Sequence, residues 1–306
     1  MKTDLRIVFM GTPEFACAGL EILIKNNYNI VGVITAPDRK SGRGQKITPS
    51  PVKEVALKHG LHIMQPTNLK SPEFIDELKG LNANLQIVVA FRMLPEAVWN
   101  MPEIGTFNLH ASLLPQYRGA APINWALING ETKTGVSTFF LKHEIDTGDL
   151  LFQQEEEIKP EDNVGILYER LMNIGADLIL KTTQKIEVGD FTTNPQIFTD
   201  ELKPAPKIFK DTCQINWAKS ANEINNLIRG LSPYPVAWTE LKEKTCKIYK
   251  STLTDSPSKG EIGSFDTDGK TFLHFNTADK QLKIEELQLQ GKKRMLITDF
   301  LRGFQF

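Results

Sequence analysis

The 306 residues are 41% hydrophobic and 24% charged, the make-up of an ordinary globular chain long enough for two domains. No apolar run approaches the ~20 residues that a bilayer-spanning helix needs, and three scattered cysteines, Cys17, Cys213 and Cys246, exclude a disulfide framework and a paired zinc motif. The net charge of −1 hides an asymmetry, because residues from 203 onward hold 17 Lys+Arg against 12 Asp+Glu, a net of +5 against −6 on residues 1–202; the C-terminal part is therefore suited to a polyanion, although a solvated lysine-rich surface gives the same count.

The opening MKTDLRIVFMG has an acidic residue before a short apolar run that ends in Gly-Thr-Pro. It reads as a buried strand over 6–11 and its turn, not as a signal peptide, which places the chain in the cytoplasm. Apolar spacing predicts a helix over 14–26, then a strand over 29–35. A helix starting at Pro51, a helical segment over 71–80 and a strand over 85–90 follow. This alternation with continuously apolar strands predicts a parallel sheet covered by helices, with chemistry at the carboxyl ends of its strands. Further strands are expected over 106–110 and 135–141, and a long helix over 164–186. Prolines at 195, 204 and 206 mark 190–210 as a linker. A short helix over 219–229 then precedes five strand-like runs, VAWTEL, CKIYK, GEIGSF, KTFLHF and LKIEELQLQ, which suggest a small barrel of OB type. The expected organisation is a Rossmann-like α/β domain over 1–189, a linker over 190–210 and an OB-like β-barrel domain over 211–306.

The stretch GTFNLHASLLPQYRG over 105–119 carries the clearest chemistry. Residues two apart on a strand share a face, so Asn108 and His110 project together near a strand end. An amide N–H can bind a developing oxyanion, while an imidazole binds it too or handles a proton. The Asp-Thr-Gly of 146–148 reads as a turn that could bring the Asp146 carboxylate to the histidine and fix its tautomer. Each piece alone also has a plain reading: two polar residues facing solvent, and a simple turn. Of the other histidines, His59 and His62 read as surface residues, and His143 lies nearer the proposed centre.

Together, NLHASLLPQYRGAAPINWALINGE and IDTGD resemble the folate-dependent formyltransferase family. The opening IVFMGTPEFA, the segment TAPDRKSGRGQKITPSPVKEVA and the late IRGLSPYPVAW extend the resemblance over essentially the whole chain. It implies a Rossmann-like domain followed by an OB-like domain, 10-formyltetrahydrofolate as formyl donor, methionyl initiator tRNA as acceptor and no metal. It implies Asn108, His110 and Asp146 as the catalytic residues. Phe91, Arg92, Leu94, Ser112, Leu113, Leu114 and Pro115, with Asp146, would line the folate pocket. The loop 88–95 here carries Arg92 where relatives usually have a glycine. By the same resemblance Arg39, Lys40, Arg43 and Lys46, on a mobile basic loop over 36–50, would grip the acceptor end of tRNA. Lys207, Lys210, Lys247 and Lys250 are candidates for phosphate contact in the C-terminal domain. One chain carrying both parts is expected to act as a monomer.

Four other readings compete. A formyltransferase for a small amine would share the catalytic residues but has no use for the basic loop or the basic C-terminal domain, and a hydrolase of the formyl donor leaves those features unexplained too. A non-catalytic RNA-binding protein using the basic C-terminal domain would want aromatics interleaved on the barrel strands, which these runs lack. A dinucleotide enzyme would want G-x-G-x-x-G where this chain has Gly11-Thr-Pro-Glu.

Overall fold

Ile7, Val8, Phe9 and Met10 have no solvent exposure at all, the pattern of a strand covered on both faces. The computed structural model describes residues 2–41, 46–144, 146–199 and 201–303, with the side chains of Lys40, Ser41 and Lys46 outside that description. In chain order the elements are β1 (Arg6–Gly11), α1 (Glu14–Lys25), β2 (Asn29–Ile34), β3 (Arg39–Ser41), β4 (Lys46–Thr48), α2 (Pro51–Lys58), β5 (Ile63–Met64), α3 (Pro72–Gly80), β6 (Leu85–Val89), α4 (Glu96–Trp99), β7 (Gly105–His110), α5 (Pro122–Ile128), β8 (Lys133–Phe140), β9 (Leu150–Glu157) and α6 (Val164–Glu187). They continue with α7 (Ala221–Leu231), β10 (Ala237–Leu241), β11 (Lys244–Pro257), β12 (Phe265–Thr267), β13 (Leu273–Asn276), β14 (Lys280–Leu289), β15 (Met295–Leu296) and α8 (Ile297–Arg302). The chain divides into two compact units: Met1–Gly119, Gly135–Glu156 and Glu169–Lys203 form the first, and Ala120–Thr134, Glu157–Tyr168 and Pro204–Phe306 the second.

The first unit is built on a seven-stranded sheet of order β5-β2-β1-β6-β7-β8-β9. Strands β5, β2, β1, β6 and β7 run parallel, and β8 is antiparallel to β7. Helix α1 buries Phe15, Ala16, Gly19, Leu20 and Leu23, one face of a 3.6-residue period. Ser50 and Ser71 cap α2 and α3 by accepting from Lys53 N and Phe74 N, each with proline at the next position, the sequence signature of a helix start.

The register positions the site. Val88 pairs with Asn108 and Val89 with Leu109, so the segment leaving β6 emerges beside His110 at the carboxyl edge of the sheet. The basic stretch expected as a loop over 36–50 instead contributes two short antiparallel arms, β3 and β4, with Arg39 opposite Thr48 and Ser41 opposite Lys46. Its charged side chains mask any apolar alternation, which is why composition alone suggested a loop.

The second unit carries an antiparallel sheet of order β10-β11-β14-β13-β12, with β15 on β14. Helix α7 opens with a full capping box between Ser220 and Glu223 and buries Ile224, Ile228 and Leu231 in a core shared with Ile248, Leu273, Phe275, Leu282, Ile284, Leu287 and Leu289. The expected strand GEIGSF is largely a turn, and β12 begins only at Phe265. Gly263 adopts φ +82°, and its N–H bonds the Asn276 carbonyl, so the chain turns there before it can extend.

Candidate active site

Asn108 and His110 lie on β7, two residues apart and so on the same face. His110 is 7% exposed. Its Nε2 lies 2.8 Å from the carbonyl oxygen of Tyr117. A carbonyl only accepts, so Nε2 carries the proton and donates it. In the neutral ring Nδ1 is then the free nitrogen, and it faces Asp146 Oδ2 at 3.9 Å, too far for a direct hydrogen bond. The tautomer expected to be set by Asp146 is therefore set by the backbone of Tyr117. That residue has φ +58° and is anchored by its own N–H to the Lys203 carbonyl at 2.8 Å. The Asn108 side-chain amide has no hydrogen-bond partner among the described residues and is half-buried.

Asp146 sits in the left-handed region at φ +55°, which aspartate tolerates better than most residues. Its Oδ2 accepts from the N–H of Gly119 at 3.3 Å. Gly148 closes the turn so tightly that a Cβ there would lie 1.6 Å from the carbonyl oxygen of Phe140. Thr147 Oγ1 donates to the Glu144 carbonyl at 3.0 Å. Ile145 lies outside the described residues.

The expected folate-binding residues divide by burial. Ser112 and Leu114 are inside, at 0% and 3% exposure, and they hold the loop. Ser112 Oγ donates to the Gln116 carbonyl, Ser137 Oγ donates to the Ser112 carbonyl, and Leu114 N–H donates to Ser137 Oγ. Gln153 Nε2 bonds both the Leu114 carbonyl and Ser137 Oγ at 2.9 Å. Leu113 and Pro115 are half-buried beside them. Across the β6 exit, Leu94 is buried, Phe91 is half-buried and Arg92 is exposed. Arg92 is not free: its guanidinium donates to the carbonyls of Pro66 and Thr67 and lies 5.6 Å from the Phe91 ring. Partial burial, then the neighbouring Arg39 charge, push the Arg92 pKa down. His143 stands outside the centre, with Nε2 at 3.4 Å from Glu96.

Of the expected tRNA contacts, Arg39 is exposed on β3. Arg43 lies outside the described residues, as do the side chains of Lys40 and Lys46. In the second unit Lys247 is directly opposite Trp238 in the β10–β11 register, so the two share a face. Lys210 Nζ lies 5.5 Å from the Trp238 ring and Lys207 Nζ 5.6 Å from the Phe209 ring. Lysines and aromatics are thus interleaved here, an arrangement the linear sequence conceals because Lys210 and Trp238 are 28 residues apart. Lys250 belongs elsewhere on the sheet, opposite Glu286.

Sequence reasoning missed Tyr117, Arg118 and Gln196. Arg118 Nη2 donates to Gln196 Oε1 at 2.5 Å, and its guanidinium stacks 4.1 Å from the Phe198 ring. Burial pushes the Arg118 pKa down, against the pull of Asp146 and Glu144. The three thiols are unpaired. Burial, reinforced by Glu21 and Glu14, raises Cys17 to about 11, and burial raises Cys246 to about 12, which makes both poor nucleophiles near neutrality. Among the described residues no group of three His, Cys, Asp or Glu could hold a metal ion, and no helix is long and apolar enough to cross a membrane.

An α/β unit with polar groups at the carboxyl edge of a parallel sheet, joined in one chain to an antiparallel β unit, is the arrangement of the formyl transferase family, and the chain belongs to it. A family model described as formyl transferase matches residues 5–183, and one described as formyl transferase, C-terminal domain, matches residues 207–305. The chain is 54% identical over 306 residues to a methionyl-tRNA formyltransferase of Flavobacterium johnsoniae, covering 99% of this chain and 97% of that one. It is 53% identical over 311 residues to a methionyl-tRNA formyltransferase of Bacteroides fragilis, covering 99% and 96%. Among solved structures, a sugar 3N-formyl transferase in the presence of dTDP and 5-N-formyl-THF has a TM-score of 0.69 at 21% identity, covering 95% of this chain and 100% of that one. An N-formyltransferase from Helicobacter canadensis, in complex with folinic acid and dTDP-3-aminofucose, has a TM-score of 0.67 at 21% identity, covering 92% and 98%. At that identity the two structures speak to fold alone.

Proposed function

We propose that this protein transfers the formyl group of 10-formyltetrahydrofolate to the α-amino group of methionyl initiator tRNA, for translation initiation. The observation that carries the reading is full-length likeness, across both units, to enzymes of that name. The site's free groups suit the reaction. The folate supplies a formyl carbon, an electrophile for an amine. The residues present fit such a donor: an unpartnered Asn108 amide and a histidine with one nitrogen free lie beside the 90–95 and 112–117 segments. Phe91, Arg92, Leu94, Leu113 and Pro115, with Asp146, would hold it, and Ser112 and Leu114 would stiffen the wall from behind.

Asn108 donates its amide N–H to the formyl oxygen, where negative charge grows as the amine adds. His110 would take the amine proton at Nδ1, because Nε2–H is committed to Tyr117, and pass it to the folate nitrogen as the bond from that nitrogen to the formyl carbon breaks and tetrahydrofolate leaves. The Asp146 carboxylate, 3.9 Å from Nδ1, stabilises the ring when it is cationic. No thiol serves as a nucleophile, in keeping with direct transfer to the amine.

Arg39, Lys40, Arg43 and Lys46, on and around β3 and β4, would contact the acceptor end of the tRNA. Lys207, Lys210 and Lys247, with Trp238 and Phe209, offer charge and stacking surface in the second unit, and Lys250 adds a separate charge. The enzyme acts as a monomer in the cytoplasm. The test is transfer of labelled formyl from 10-formyltetrahydrofolate to methionyl initiator tRNA, beside an amino-sugar nucleotide as acceptor and the His110→Ala variant. Rapid, His110-dependent labelling of the tRNA is the expected result. Labelling of the sugar alone would overturn the tRNA assignment and keep the catalytic one.

A further inference from the structure

Gln196 is a neutral residue in a proline-bearing stretch with no regular helix or strand, yet it is only 6% exposed. Its register is fixed two residues earlier, where Asn194 and Leu150 exchange both backbone hydrogen bonds, at 2.8 and 2.9 Å. Gln196 is thereby delivered to the back of the turn that presents Asp146. Its Nε2 donates to the carbonyl of Asp146 at 2.9 Å and to that of Gly148 at 2.8 Å. These two carbonyls flank the turn, so one amide group pins both ends of it. The orientation of that amide follows from chemistry alone. Carbonyls require the nitrogen on one side, and the Arg118 guanidinium, at 2.5 Å, requires the oxygen on the other. Arg118 is itself held against the Phe198 ring.

We propose that Gln196 is a positioning residue for formyl transfer, holding the Asp146 turn so that the carboxylate faces Nδ1 of His110, with Arg118 locking the orientation of the Gln196 amide. The inference rests on the reading of Asp146 given above. Asp146 sits at φ +55°, a conformation that the local chain does not favour and that outside bonds must maintain. Its Oδ2 has one backbone anchor, Gly119 N–H at 3.3 Å, which does not restrain the turn itself. Thr147 Oγ1 bonds the Glu144 carbonyl from within the turn, and Gln196, 50 residues further along the chain, bonds the Asp146 and Gly148 carbonyls from outside it. Its side-chain hydrogen bonds among the described residues go to Arg118 and to the backbone of the turn, not to His110, so its effect is expected on geometry and not on binding.

The experiment compares Gln196→Met, Asp146→Asn and the double variant, each assayed for formyl transfer to methionyl initiator tRNA over a range of both substrates. Methionine fills the volume and removes the hydrogen bonds. Gln196→Met is expected to lower kcat roughly 10- to 100-fold, the cost of about an ångström of misplacement, while KM for each substrate stays within about twofold. Because it acts through Asp146, adding it to Asp146→Asn is expected to lower kcat by less than about twofold more. A purely structural role would give losses that multiply. Should Gln196→Met fail to fold, Arg118→Ala, which leaves the Gln196 amide in place but unlocked, carries the same expectation. Wild-type kcat in the variant that folds, or multiplicative losses in the pair, overturns the assignment of Gln196 alone. Wild-type kcat in Asp146→Asn would remove the reading of Asp146 and this proposal with it.

Discussion

His110 donates its Nε2–H to the carbonyl oxygen of Tyr117 at 2.8 Å, so one edge of the imidazole is held by backbone and only the Nδ1 edge faces Asp146. Removing the ring removes the free nitrogen and one bond to the Tyr117 carbonyl, while the 112–116 loop keeps its bonds to Ser137 and Gln153. His110→Ala is expected to lower kcat about 10²- to 10⁴-fold, the usual worth of a positioned acid–base group, with KM for the tRNA little changed. Steady-state formylation at saturating folate measures both. A tenfold rise in KM with kcat intact would make His110 a binding group instead.

Gly148 is required by space, not by conformational freedom. A Cβ would meet the Phe140 carbonyl oxygen at 1.6 Å, a contact no rotamer can relieve because the obstacle is backbone. Gly148→Ala is therefore expected to push the turn away from β8, lowering the melting temperature and reducing transfer to the level of Asp146→Ala. Thermal melting and a rate assay on the same preparation decide it. Wild-type values for both would mean that the turn has slack the structure does not show.

The sheet was legible because its signals are local. The apolar runs at 6–11 and 85–90 and the Ser-Pro helix starts at 50–51 and 71–72 depend only on neighbouring residues, and β1, β6, α2 and α3 begin where those signals place them. Asn108 and His110 share a face because strand periodicity says so. What stayed hidden depends on pairings between distant segments. Nothing in PQYRG announces that the Tyr117 carbonyl receives the histidine proton, since that requires the chain to turn back at φ +58°. Nothing in TTNPQIF announces that Gln196 reaches the Asp146 turn. Strand β9 was missed for another reason: its second half, QQEEE, is exposed or half-exposed and carries no apolar alternation to read.

Ser137 joins two backbone groups of the 112–116 loop to the sheet and also accepts from a side chain on β9. Its hydroxyl donates to the Ser112 carbonyl at 2.6 Å and accepts from Leu114 N–H at 3.1 Å and Gln153 Nε2 at 2.9 Å. The site is fully buried, so Ser137→Ala leaves the Leu114 N–H without its acceptor and with no water to replace it. The expected cost is about 1–3 kcal/mol of stability, read by urea unfolding. A weaker KM for the folate should accompany it, because the loosened loop carries Leu113 and Pro115. Unchanged stability would mean that the loop finds another partner for that N–H.

Asp279 ties the start of α7 to the β13–β14 connection. Its Oδ1 accepts from Ala221 N–H at 2.8 Å, Thr277 Oγ1 at 2.9 Å and Lys280 N–H at 2.9 Å. The Ala221 bond above all, opposed next by burial and then helped by the bonds from Thr277 and Lys280, holds its pKa below the ordinary 3.8. A carboxyl whose folded pKa is depressed binds its proton more readily when unfolded. Its contribution is therefore complete above about 3.8 and is lost as pH falls through the lower folded value. Asp279 is exposed, so solvent screening limits the effect to a few tenths to about 1 kcal/mol, the scale of a carboxylate at a helix N-terminus. Asp279→Ala should accordingly melt below the wild type at pH 7, and the two melting temperatures should converge as pH is lowered to about 3. A gap that persists undiminished at pH 3 would assign the stabilisation to packing around the turn and not to the charge.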